Sequence, residues 1–176
     1  MTRTCFLAAV LPLAFALAAP AAAAPAKAPG AIVRHANTPP GLILQGVTVP
    51  AGTETLYLSG QLASPMEASK AKPPASLTMD DFGDTKTQTI SIFTKIKGIL
   101  AAQGYAMSDI IKLTVFVAAD PKMSGKMDFA GFNDGFKMFF GTADNPNTVA
   151  RSTVQVAALA GPNFLIEIEA IAAKVK

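Results

Sequence analysis

VARSTVQVAALAGPNFLIEIEAIAA (residues 149–173) holds two runs of strand composition separated by Ala160-Gly-Pro-Asn163, a turn signal that predicts a hairpin. Side chains alternate across a strand. Arg151, Thr153 and Gln155 therefore share one face of the first run, and Glu167 and Glu169 share one face of the second, with Ile166, Ile168 and Ala170 opposite. Charge thus sits on strands otherwise built for burial. A surface ion pair accounts for that pattern at about 0–1 kcal/mol, but the choice of arginine does not fit it. Beyond the first 24 residues the chain uses twelve Lys and only two Arg. A planar five-donor fork suits bidentate carboxylate recognition in a way that the lysine point charge does not.

Working outward, the other segments read as strands and helices of one domain. LILQGVTV (42–49) and TLYLSGQLA (55–63) have strand composition and are joined by PAGTE (50–54) as a second expected hairpin. ASPMEASKAKPPASLTMDDFGD (63–84) is polar and proline-containing, a long loop inside the domain. DTKTQTISIFTKIKGILAAQG (84–104) predicts a helix: Asp84 serves as N-cap, Ile92, Ile96, Ile99 and Leu100 fall at helical spacing, and Gly104 ends it. DIIKLTVFV (109–117) alternates Ile111, Leu113, Val115 and Val117 on one face. MDFAGFNDGFKMFFG (127–141) places Phe129, Phe132, Phe136, Phe139 and Phe140 on a helical core face that ends at Gly141. The order is β-β-α-β-α-β-β, an α+β domain with two helices covering one face of a mixed sheet.

The N-terminus reads differently. MTRTCFLAAVLPLAFALAAPAAAA (1–24) has Arg3 before an apolar run and an alanine-rich end with small-x-small cleavage sites, the pattern of a secretory signal peptide. The run is shorter than the roughly 20 apolar residues of a spanning helix, and it carries Pro12 and Pro20. A periplasmic or secreted protein is expected after cleavage, with no membrane association. Residues 25–41 read as a flexible leader and 42–176 as the domain. Cleavage removes the only Cys, so neither a disulfide nor a thiolate metal site is expected, and the single His, His35, lies in the leader. The remaining 14 Lys and Arg against 12 Asp and Glu, without basic runs or interleaved aromatics, give no reason to expect nucleic acid.

LYLSGQLA, GDTKTQT, GYAMSDIIKLTVFV, DFAGFNDGFKMFF, ARSTVQV and IEIEAIAA follow one another in the order and spacing of the RidA/YjgF family, which the sequence resembles over residues 42–174. That family comprises enamine and imine deaminases once described as endoribonucleases. The resemblance implies the chorismate-mutase-like fold, a homotrimer with sites between subunits, and no metal or organic cofactor. By position, Arg151 matches the arginine that clamps the substrate carboxylate, and Glu167 the acid beside the attacking water. Ser59 and Gly60 match residues lining the cleft, Asn133 a polar residue of the second helix, and Thr153 the place where many members have Cys. Three features depart from the pattern: Ile43 in place of a tyrosine, Val149 in place of proline, and the length of the 63–84 loop.

The resemblance implies hydrolysis of 2-imino acids such as 2-iminopropanoate to 2-oxo acids and ammonia. A binding module for small carboxylates needs only the arginine, so the presence of Glu167 favours an enzyme. An endoribonuclease has less support, for want of a histidine pair, a basic groove and stacking aromatics on the sheet.

Overall fold

The computed structural model describes residues 30–175, so the expected signal segment lies outside the described residues. The elements are β1 (Val33–His35), β2 (Gly46–Thr48), β3 (Glu54–Leu62), α1 (Thr85–Ala102), β4 (Ile110–Ala118), α2 (Phe129–Phe136), β5 (Ala150–Val156) and β6 (Ile166–Lys174). β4 is the most apolar strand, with Leu113, Val115 and Val117 fully buried. A strand of that kind needs neighbours on both edges. It has β5 parallel on one side and β6 antiparallel on the other, and β6 in turn pairs antiparallel with β3, giving the order β3-β6-β4-β5.

The α+β arrangement with two helices on one face is as the sequence predicts, but both expected hairpins are absent. Parallel strands need a crossover, and α2 supplies it between β4 and β5. β4 thereby separates β5 from β6, and residues 157–165 arch over its end instead of turning tightly. Nor does the 42–49 run pair with β3. Gly46–Thr48 pairs with Val33–His35 in a separate two-stranded ribbon, and Leu44 bridges to Ala150. Part of the expected leader is therefore a structural element, and Arg34 shows why: its guanidinium donates to the carbonyls of Ser108 (2.7 Å), Thr148 (2.8 Å) and Ile110 (3.0 Å). Three converging carbonyls fix the ribbon at the start of β4 and β5. His35 completes the ribbon through a 2.8 Å contact with Thr48 Oγ1.

α1 forms where the sequence places it. The Asp84 carboxylate accepts from the Thr87 amide at 2.8 Å, a bond that lowers its pKa. Gly104, at φ 74°, closes the other end: its amide reaches Ala101 and that of Tyr105 reaches Leu100, the paired bonds of a Schellman ending. Ile92, Phe93, Ile96 and Leu100 are fully buried, and the Phe93 ring meets those of Phe136 and Phe140 at 6.2 and 5.4 Å. α2 is shorter than the aromatic spacing predicts. It ends at Phe136, Phe140 packs from the turn beyond, and Phe129 is 43% exposed. Gly135 sets the helix contact, since a Cβ there would lie 2.8 Å from the Thr89 side chain.

The long 63–84 loop is ordered around one carboxylate. Asp81, 4% exposed, accepts from Ser69 Oγ and Lys72 Nζ, both at 2.6 Å, and from the Thr78 amide (2.8 Å) and hydroxyl (3.0 Å). Lys72 first, then Ser69 and the Thr78 amide, hold its pKa well below the usual carboxylate range. A depressed carboxylate contributes stability above its unfolded pKa of about 4 and loses it as pH falls through the folded value. Hydrogen exchange should accordingly find the Thr78 amide protected from neutral pH down to about pH 4 and released in stronger acid. Asp81→Asn should release it at neutral pH; equal protection in the variant would show that the carboxylate does not hold the loop.

Candidate active site

Parallel pairing places Arg151 beside Leu113 and Thr153 beside Val115, so both point to the helix-covered face. The Arg151 guanidinium lies 4.6 Å from the Phe132 ring centre and 4.7 Å from that of Phe136, with Phe129 at 5.9 Å. The rings shield it from water and also attract the cation through their π faces. Nη2 donates to Asn133 Oδ1 at 2.8 Å, which fixes the plane of the fork. Nη1 is buried with no hydrogen-bond partner among the described residues, and so is the Thr153 hydroxyl. Burial lowers the Arg151 pKa to about 10, which leaves it a cation at neutral pH. A shielded cation with an unsatisfied donor is costly, and an anionic ligand drawn onto the fork offsets that cost.

Glu167 belongs to the other face. It pairs with Phe116 of β4 and Leu62 of β3, whereas its neighbours Ile166 and Ile168 are fully buried beneath the helices. Its carboxylate lies directly over Gly60: a Cβ on that glycine would fall 1.8 Å from Glu167 Oε1. The β3–β6 register shifts between Leu58 and Gln61, so Ser59 and Gly60 form a bulge that lets the carboxylate settle on bare backbone. Ser59 is exposed and borders an open-face hollow of about 270 Å³ with Tyr57, Lys112, Thr114 and Glu169.

Of the six residues that the sequence points to, the structure brings Arg151, Asn133 and Thr153 together on the helix face, and Ser59, Gly60 and Glu167 together on the bare face. The sheet separates the two groups. Sequence reasoning takes Phe132 and Phe136 only as core; they are also the platform beneath the guanidinium. Their i, i+4 spacing beside Asn133 carries that signal, as does a mid-helix glycine at 135, since such a glycine marks close packing. Gln155, on the same face as Arg151, holds the approach to α2 by accepting from the Met127 amide at 2.9 Å.

An α+β sheet in this order, an arginine seated on crossover-helix aromatics and a glutamate seated on a bulge glycine define a domain of the RidA/YjgF type. Residues 45–174 match the profile of the family described as Endoribonuclease L-PSP, and the chain belongs to that family. A RutC family protein of Pyrococcus horikoshii is 40% identical over 92 residues, 52% of this chain, and the match spans less than two thirds of that relative, 64%. A 2-iminobutanoate/2-iminopropanoate deaminase of Dermatophagoides farinae is 32% identical over 117 residues, 66% of this chain and 76% of the relative. TdcF of Escherichia coli K12 is 32% identical over 148 residues, 84% of this chain and 92% of its own. The crystal structure of E. coli TdcF with bound serine aligns with a TM-score of 0.51 at 33% identity, over 84% of this chain and 93% of that one.

The contact between Gly60 and Glu167 is testable by a double-mutant cycle. Gly60 lies outside the left-handed backbone region, so Gly60→Ala should be costly only through the carboxylate, by roughly 1–3 kcal/mol in denaturant unfolding. The same substitution should cost far less in a Glu167→Ala background. Equal costs in both backgrounds would place the carboxylate elsewhere.

Proposed function

We propose that the protein hydrolyses 2-imino acids to 2-oxo acids and ammonia, in sites completed by a second copy of the chain within a homotrimer. The observation that carries this reading is the ring-seated Arg151, with Nη2 held by Asn133 and Nη1 unpartnered, in a family that includes imine deaminases. The serine bound to the E. coli relative carries a carboxylate of the kind this fork suits. Assembly is part of the reading because Arg151 and Glu167 lie on opposite faces of one sheet. The bare face also displays Tyr57 at 74% and Val154 at 46% exposure, apolar surface suited to a partner.

In this reading the substrate carboxylate rests on the Arg151 fork and a neighbouring Glu167 stands beside the imine carbon. Glu167 takes a proton from water as its oxygen bonds to C2 and the C=N pair moves to nitrogen. Glu167 returns that proton to nitrogen, which gives the neutral carbinolamine. Glu167 then takes the carbinolamine hydroxyl proton and passes it to nitrogen, so that the C2–N bond breaks, ammonia leaves and the C2–O bond becomes the carbonyl. The fork, Asn133 and Thr153 are complete on one face without Glu167, so a carboxylate-binding module is the second reading.

Ammonia release from freshly generated 2-iminopropanoate separates the two. Arg151→Lys keeps the charge and loses the fork, and Arg151→Ala loses both; each should lower kcat/KM, the latter by an amount equivalent to about 2–5 kcal/mol. Glu167→Gln should lower turnover while binding of pyruvate survives. Wild-type activity in a folded Arg151→Ala protein would refute the site. Light scattering should give three times the chain mass, and a monomer at micromolar concentration would remove the shared site. Export, read from the first 24 residues, belongs to the same proposal; mass spectrometry of protein from fractionated cells should find a chain beginning near residue 24, and an intact N-terminus would refute it.

A further inference from the structure

The bare face around Glu167 and Glu169 opens into a cleft of about 340 Å³ walled by Phe116, Val156 and the stretch Ala158-Leu159-Ala160. The same stretch forms one wall of a second groove, about 450 Å³, which runs past the end of the sheet to Met79, Pro121 and Phe164. Ala118 lines this groove from the end of β4, two residues beyond Phe116 and on the same side of the strand. Read as continuous along that shared stretch, the two hollows make one channel with Glu167 and Glu169 near its mouth. Beyond the mouth its side chains are all apolar, which suits an aliphatic group better than a charged one.

The long 63–84 loop contributes Met79 to the groove and is fixed in place there. Asn163 Nδ2 donates to the Leu77 carbonyl at 2.9 Å, the Phe82 and Phe164 rings meet edge to face at 5.0 Å, and Lys122 Nζ lies 2.8 Å from Asp80 Oδ1. The groove is therefore formed before any ligand arrives.

We infer that this groove receives the side chain of the substrate, so that the protein prefers 2-imino acids with branched or long aliphatic side chains to the three-carbon 2-iminopropanoate. This rests on the deaminase reading above. C2 of such a substrate bears three groups: the carboxylate, the imine nitrogen and the side chain. With the carboxylate on the fork and water at Glu167, the side chain departs from a carbon adjacent to the Glu167 carboxylate, where the apolar channel begins. Each buried methylene is worth about fourfold in affinity, so the three extra carbons of a leucine-derived compound give a preference of tenfold or more over its alanine-derived counterpart.

The test uses the purified protein with two pairs of probes. Pyruvate and 4-methyl-2-oxopentanoate report binding by calorimetry, and imines freshly generated from alanine and leucine report turnover. The wild type should bind the six-carbon oxo acid at least tenfold more tightly and favour the leucine-derived imine by a similar ratio in kcat/KM. Ala160→Phe, at an exposed position of the shared wall, fills the channel and should bring both ratios close to one. Met79→Glu, on the opposite wall, should do the same by placing charge in it, and it keeps the test decisive if the first variant fails to fold. A binding preference that both variants abolish, without turnover of either imine, would uphold the groove and refute the deaminase reading. A wild-type binding ratio near one, a ratio that survives in a folded variant, or no binding of either oxo acid would overturn the groove.

Discussion

The parallel register of β5 on β4, with Leu113 beside Arg151, is the constraint on which the rest of the molecule depends. Two adjacent parallel strands cannot be joined by a tight turn, so the chain between them must cross a face of the sheet, and here it crosses as α2. That crossing sets Phe132, Asn133 and Phe136 over the start of β5. The guanidinium is thereby desolvated on two rings and oriented by one amide, while α2 is held against α1 by the contact at Gly135 and Thr89. A single pairing choice thus fixes the core, the position of the helix and the setting of the charge.

The same sheet divides the polar residues between two environments. On the helix face the guanidinium is half-buried against two rings, so a fixed cation interacts more strongly with any anion that reaches it than it would in bulk water. On the bare face Glu167 keeps its place through an absence of atoms: the Ser59-Gly60 bulge offers backbone where a side chain would collide. Arg151 and Glu167 are separated by the thickness of a sheet, and the proposed function joins them through a homo-oligomer that brings one subunit's helix face beside another's bare face.

The end of the sheet is governed by a different set of forces. Because β4 lies between β5 and β6, residues 157–165 must arch over its end, and the long loop from β3 comes to rest against that arch. Its anchor is electrostatic, a buried carboxylate with four donors, and its contact surface is apolar, the Phe82 and Phe164 rings. The outcome is a loop, read from composition only as such, that is held against the arch and sets Met79 on the apolar groove there.

Local rules were enough for much of this. Asp84 and Gly104 delimit α1 because caps act within one turn, and the alternation of β4 marks burial because strand side chains alternate whatever their neighbours. The resemblance to a family identified all six candidate residues. Strand pairing was not legible, because which edges meet depends on burial summed over the whole sheet, and the two hairpins suggested by turn residues gave way to a central β4. The role of Arg34 was equally hidden, since its three carbonyl partners lie 74 to 114 residues away. Sequence could place Arg151 and Glu167 on faces of their own strands. Only the tertiary structure decided that these are opposite faces of one sheet, since register, set by long-range packing, determines which way each strand's alternation points.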